Sequence, residues 1–196
     1  MRVPGIASGI FESRKRGRLN FTVALSCSAW GCFAGCVWGM TRHFRRVAKP
    51  TPAMVATALL ASASGILQLV AIGRGERLYP VAGMGLYWLS AALFWWAVSV
   101  TRGQLAACGQ GCVSGEVLRA GPYRYIRHPF YLSYNLMWAG GVVSTGSVTL
   151  LVSAVVMALL YESFARAEER GFTESSLARE YEEYRRGAGR YWPKLP

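Results

Sequence analysis

The sequence predicts an all-α, polytopic membrane protein of about five transmembrane helices. The last two form a helical hairpin, and a cytosolic C-terminal helical tail follows. Three observations carry that prediction. Of 196 residues, 53% are hydrophobic and only 16% charged, where an ordinary soluble domain carries about 25% charge. The apolar residues gather in runs long enough to cross a bilayer, and the basic residues gather between those runs. This composition excludes an ordinary soluble domain and a disordered chain.

The chain divides into a basic N-terminal segment (1–20), three transmembrane helices (21–100) and a C-terminal region (101–196) that holds a polar loop, a helical hairpin and a C-terminal helix. A spanning helix needs about 20 mostly apolar residues, because each adds about 1.5 Å across about 30 Å of hydrocarbon. Phe21 to Met40 meets this without a charge. A signal peptide is the competing reading, but its apolar core would be shorter, about 7–15 residues. Within the run, Gly31, Gly35 and Gly39 recur every fourth residue. That small-residue face fits another helix of the same chain, or a second copy in a homodimer. Thr51 to Ile72 is the second run, opened by Pro50 and Pro52 and closed by Gly73 and Gly75. Leu78 to Val100 is the third, and some of Trp88, Trp95 and Trp96 belong at a membrane interface. A polar loop occupies 101–129. Phe130 to Val143 and Val148 to Leu160 then read as the hairpin, with its tip at Ser144–Ser147. The second arm continues as a helix through Tyr161 and Glu169. A charged helical tail runs from Glu174 to Arg186, with Gly171, Thr173 and Ser175–Ser176 weakening the helix where the two meet.

The net charge is +12. In so apolar a chain, that charge favours anionic lipid head groups over nucleic acid as partner. Lys and Arg are counted to orient the spans. One side collects 15 of them, in 41–50, 101–129 and the tail, against 7 on the other. The bias puts the loop and tail in the cytosol, in a bacterial inner membrane or an endoplasmic reticulum, although the cluster Arg14–Arg18 then lies outside. All ten acids are Glu, which removes Asp-rich calcium loops and aspartic dyads. With two His and five Cys, none in C-x-x-C spacing, no metal is expected; Cys108 and Cys112 are half a site at most.

Two clusters carry chemistry. The first is Gly121-Pro122-Tyr123-Arg124-Tyr125-Ile126-Arg127-His128-Pro129-Phe130-Tyr131. Pro129 suits the first position of a helix, which puts His128 at the N-cap. The positive helix end there favours a neutral imidazole. The aromatics offer flat faces to a planar ring or a cation. The plainer reading is an interfacial belt of aromatic and basic residues. The second cluster is Tyr161-Glu162-Ser163-Phe164-Ala165-Arg166-Ala167-Glu168-Glu169-Arg170. Glu162, Arg166 and Glu169 share one helix face, and Glu168 points about a third of a turn away. The plainer reading here is a solvated helix end with i, i+4 ion pairs.

Together the clusters resemble the isoprenylcysteine carboxyl methyltransferase and phospholipid methyltransferase superfamily. Its pattern joins Gly-Pro-Tyr and Arg-His-Pro-x-Tyr to a helical hairpin, a Glu-Glu pair, two spaced Tyr and a late Arg and Pro. Here these are Gly121 to Tyr123, Arg127 to Pro129, Tyr131, Glu168-Glu169, Tyr181, Tyr184, Arg190 and Pro193. The resemblance covers about residues 83–196. Gly83-x-Gly85 and Glu162 after Tyr161 are similar to features of the phospholipid branch.

The resemblance implies an integral membrane methyltransferase using S-adenosylmethionine. The implied cofactor-binding positions are Gly115, Glu116, Val117, Leu118, Tyr123, His128, Pro129, Phe130, Tyr131, Glu168 and Glu169, with Glu162 in reserve. Glu168 matches the acid that binds the cofactor. Phe164 stands where the carboxyl methyltransferases place a basic substrate contact, which leaves Arg166 as the nearest substitute. The implied acceptor is lipid-like, an isoprenylcysteine-type carboxyl. The alternatives are N-methylation of a phospholipid head group, a membrane sterol-type reductase with a nicotinamide cofactor, and an inactive membrane scaffold. No residue is singled out as a catalytic base.

Overall fold

The computed structural model describes residues 4–43, 51–101 and 117–194, and within them all side chains except those of 4–15 and 18. Six α-helices follow in order: α1 Pro4–His43, α2 Pro52–Gly73, α3 Pro80–Thr101, α4 Pro129–Thr145, α5 Val148–Thr173 and α6 Ala178–Gly187. Among the described residues there is no strand, only an isolated parallel bridge between Ile126 and Gly189. The all-helical membrane architecture read from the sequence is the one observed.

Among the described residues, four helices are long and apolar enough to cross a membrane: the part of α1 from Leu19 to His43, and α2, α3 and α5. The first hairpin arm is the short fifth helix, α4. Its 17 residues reach about 25 Å at 1.5 Å each. α4 is also the most enclosed of the five, with eleven buried positions. It packs most extensively on α3, and also on α5 and α1. Leu59, Ile66, Val152 and Leu159 on α2 and α5 turn outward, as side chains facing lipid do.

Small residues set the approach of α3 and α4. A Cβ on Gly83 would collide with Ser144 and sit 2.7 Å from the Gly140 carbonyl, and one on Gly140 would meet the Tyr87 ring at 2.9 Å. Gly85 faces open space. In a bilayer such close backbone packing replaces the hydrophobic drive available in water. The glycine face of α1 is partly used in the same way. Gly39 lies against Phe94 and Gly35 against Trp95 of α3, while Gly31 is open. Polar side chains stitch the interior: the Ser64 and Ser153 hydroxyls share a hydrogen bond, and Gln68 donates to the Met137 carbonyl.

Helix ends follow local chemistry. The Thr51 hydroxyl accepts from the Met54 N–H, with Pro52 opening α2. α4 opens on Pro129 and closes on Gly146, whose φ of 72° is the left-handed value glycine tolerates. The α2–α3 connection then caps α4: the N–H groups of Leu78 and Tyr79 donate to the carbonyls of Ser144 and Val143 at 2.9 and 3.0 Å. α5 and the tail are separate helices. The break falls at 174–177, where the Ser175 hydroxyl donates to the Phe172 carbonyl and accepts from the Leu177 N–H. Gly, Thr and two Ser in six residues explain why the chain bends there.

Candidate functional site

The site lies at the N-terminal end of α4, where four segments meet. A 3₁₀ turn, Gly121–Arg124, leads into it. Gly121 has φ 56° and packs so closely on Val100 that a Cβ would sit 2.8 Å away. The chain then pairs with the C-terminal segment after α6. The Gly189 N–H donates to the Tyr125 carbonyl, the Arg127 N–H to that of Gly189, and the His128 N–H to that of Arg190. This pairing delivers Arg127, His128, Arg190 and Tyr191 to the carboxylates of α5.

Glu169 is buried and surrounded by cations. Arg127 donates to its Oε1 through Nε and Nη2 at 3.1 and 3.0 Å. Arg190 donates through Nε to Oε1 at 3.0 Å and through Nη2 to Oε2 at 2.6 Å. His128 Nε2 lies 3.1 Å from Oε1. Glu168 is different. Its side chain is 27% exposed. Tyr131 donates its hydroxyl to Oε1 at 2.6 Å, and His128 Nδ1 stands 3.6 Å from Oε2. Glu162 completes the network: it accepts from Arg166 at 2.7 Å, Arg190 at 2.6 Å and the Tyr191 hydroxyl at 2.9 Å.

The electrostatics follow from this crowding. Burial alone would push the His128 imidazole down, but Glu168 and Glu169 together outweigh it and hold it above its ordinary value. The carboxylates thus oppose the neutral form that the helix end favours. His128 is the N-cap residue, as the sequence reading had it, yet it makes no side-chain capping bond. Its ring serves the carboxylates instead. Arg190 is held above the usual arginine range by its bond to Glu169, and burial raises the Tyr191 phenol.

Aromatic rings pack beside the carboxylates. Tyr131 stacks on Tyr161 at 5.6 Å, Tyr134 lies 5.4 Å from Tyr161, and the Trp138 indole donates to the Tyr161 hydroxyl. Phe130 turns the other way, into the core against Phe94, and Pro129 is fully buried. Tyr123 is buried, and its carbonyl accepts from the Tyr184 hydroxyl. Val117 joins a small apolar cluster with Tyr181, Tyr184 and Ala188, and Leu118 packs at the margin of the main core. Gly115, Glu116, Cys108 and Cys112 lie outside the described residues.

Of the positions singled out from sequence, the structure thus brings His128, Tyr131, Glu168 and Glu169 into direct contact. Arg166 joins them through Glu162 and Arg190. The sequence reading gave no role to Arg127, Arg190 or Tyr191. Arg127 adjoins His128 and Arg190 follows Gly-Ala-Gly, but which acid each would reach depends on how the chain folds back.

Residues 78–180 match the model of the phospholipid methyltransferase family. That segment is more than half of the chain and contains all of α3, α4 and α5. The chain belongs to the phospholipid methyltransferase family. Its family and its four apolar helices make it an integral membrane protein of a methyltransferase family. Arg190 and Tyr191 lie beyond the matched residues. The nickel-cobalt-cadmium resistance protein NccN of Alcaligenes xylosoxydans xylosoxydans is 29% identical over 117 residues, covering 55% of this chain and 53% of that protein. The chain therefore spans about half the length of this relative.

Proposed function

We propose that this protein transfers a methyl group from S-adenosylmethionine to a lipid-like acceptor at the membrane, a carboxyl group of the isoprenylcysteine type. The carrying observation is the contrast between adjacent acids. Glu169 has both oxygens occupied by cations, whereas Glu168 is 27% exposed and takes its one short bond from Tyr131. A part-exposed carboxylate beside stacked tyrosines suits a ligand with an ammonium and a planar ring. Glu168 would pair the cofactor's ammonium. His128 would help hold its carboxylate, and Tyr131 would line the ring. The backbone around Tyr123, Pro129 and Phe130 would also contact the cofactor, and the family resemblance adds Gly115, Glu116, Val117 and Leu118 to its contacts. When bound, S-adenosylmethionine supplies a methyl group on a sulfonium, open to direct displacement.

The chain's own residues then have three tasks. Tyr131, Tyr134 and Tyr161 keep water from the reacting end. The buried network around Glu169 holds the start of α4 against α5, and that fixed frame would orient the acceptor toward the methyl group. Arg166, whose side chain is 63% exposed, would meet the acceptor's anionic group. An ionised carboxylate attacks without help from a base, whereas an ammonium must first lose a proton. The site and tail would face the cytosol, on the side richer in Lys and Arg.

The family match favours a second acceptor, the amine of a phospholipid head group. The two are separated by incubating purified protein with membranes and cofactor carrying a labelled methyl group, then treating the lipid extract with alkali. A methyl ester releases labelled methanol and supports the carboxyl reading. An N-methyl group survives and contradicts it in favour of the head-group amine.

A further inference from the structure

Arg190 is the only side chain among the described residues that bridges Glu162 and Glu169. These acids stand seven positions apart on α5, about 10 Å along its axis. One planar guanidinium covers both, with Nη1 on Glu162 and with Nε and Nη2 on Glu169. A lysine ammonium, a point charge, has no such fork. The Arg190 carbonyl accepts from the His128 N–H, so the same residue also fixes where the imidazole stands. Tyr191 extends the clasp by donating to the second oxygen of Glu162. Arg127 adds a further tie, donating through Nη1 to the Ala188 carbonyl at 2.6 Å. The clasp is built from a segment outside the residues that match the family.

We infer that Arg190 is a positioning residue: it holds the second oxygen of Glu169 and, with Arg166 and Tyr191, occupies Glu162, which leaves Glu168 as the carboxylate of the three open to the cofactor's ammonium. This rests on the cofactor use proposed above. Without Arg190, Oε2 of Glu169 loses its partner, and Glu162, two helical turns away, keeps only Arg166 and the Tyr191 hydroxyl. The ammonium then has competing partners, and His128 is drawn more fully onto Glu169. The groups facing His128 are Glu168 and Glu169 from α5, Tyr131 from α4, Arg127 beside it, and Arg190 and Tyr191 from the C-terminal segment.

The test uses the full chain in detergent, with Arg190→Gln and Arg190→Lys. S-Adenosylmethionine binding is measured by calorimetry, and His128 is titrated by NMR without cofactor. Arg190→Gln should bind about tenfold more weakly or worse, and Arg190→Lys should recover only part of that loss. In Arg190→Gln, His128 should titrate at a higher pH than in wild type, because a nearby cation is gone and Glu169 is freed. Wild-type affinity with an unmoved His128 would overturn the role. So would a His128 that returns to its ordinary value of about 6.5, the sign of a site that has merely come apart. A wild type without affinity for the cofactor would instead sink the methyltransferase reading, and the His128 titration would still decide whether Arg190 positions the site.

Discussion

The two ends of α4 are finished in opposite ways. At its C-terminal end the closing is done by backbone: Gly146 turns the chain, and Leu78 and Tyr79 donate to the last carbonyls. No charged side chain is needed there. At its N-terminal end the backbone pairing of 125–128 with 189–190 is only a frame. What fills the frame is charge: His128, Arg127 and Arg190 around Glu169, with Glu168 half-turned to the outside. A helix end sealed by backbone has little left to offer a ligand. An end held by side chains keeps a carboxylate, cations and phenols in a fixed arrangement, which is what recognition of a zwitterion demands.

Breaking each end separates the two. The largest effect belongs to Glu169→Gln. It strands the buried Arg127 beside a neutral amide, and should cost about 3–5 kcal/mol, as breaking a buried ion pair does. Thermal unfolding in detergent measures it. Gly83→Leu attacks the opposite end. Its side chain has no room against Ser144 and the Gly140 backbone, so it should cost about 1–3 kcal/mol by overpacking. Cofactor affinity per folded molecule should stay near wild type, since the site lies at the other end of the helix.

A smaller effect is a pH dependence confined to the charged end. The folded-state value of His128 is raised. Its contribution to stability is therefore complete below the unfolded value of about 6.5 and is lost as pH rises through the folded value. The gap in Tm between wild type and His128→Gln should be widest near pH ~6 and should narrow as pH rises. A gap that widens with pH would show that the imidazole is bound neutral.

The sealed end was more legible in the sequence than the charged one. Ser144–Ser147 announced the hairpin tip, Pro129 announced the start of α4, and the runs of apolar residues announced α2, α3 and α5. These are local signals, and local physics decides them. The charged end depends on contacts between residues as far apart as 127 and 190. His128 shows the consequence. Its position at the N-cap was readable, and a helix dipole worth about 0.3–1 kcal/mol argued for a neutral ring. Two carboxylates from α5 overrule that dipole, and their approach is fixed only when the chain has folded. Glu168 and Glu169 were legible as a pair, but their division of labour was not. It arises from a 100° difference in direction along α5 and from which of the two Arg127 and Arg190 can reach.

That division of labour is tested most directly by Glu168→Gln, measured twice on the same detergent-purified sample, by thermal unfolding and by calorimetry with S-adenosylmethionine. Unfolding should stay within about 1 kcal/mol of wild type, because a part-exposed group gives up little. Binding, about −8 kcal/mol for a micromolar site, should disappear. A Glu168→Gln protein that binds the cofactor as wild type does would contradict the assignment of Glu168 as the acid that receives it.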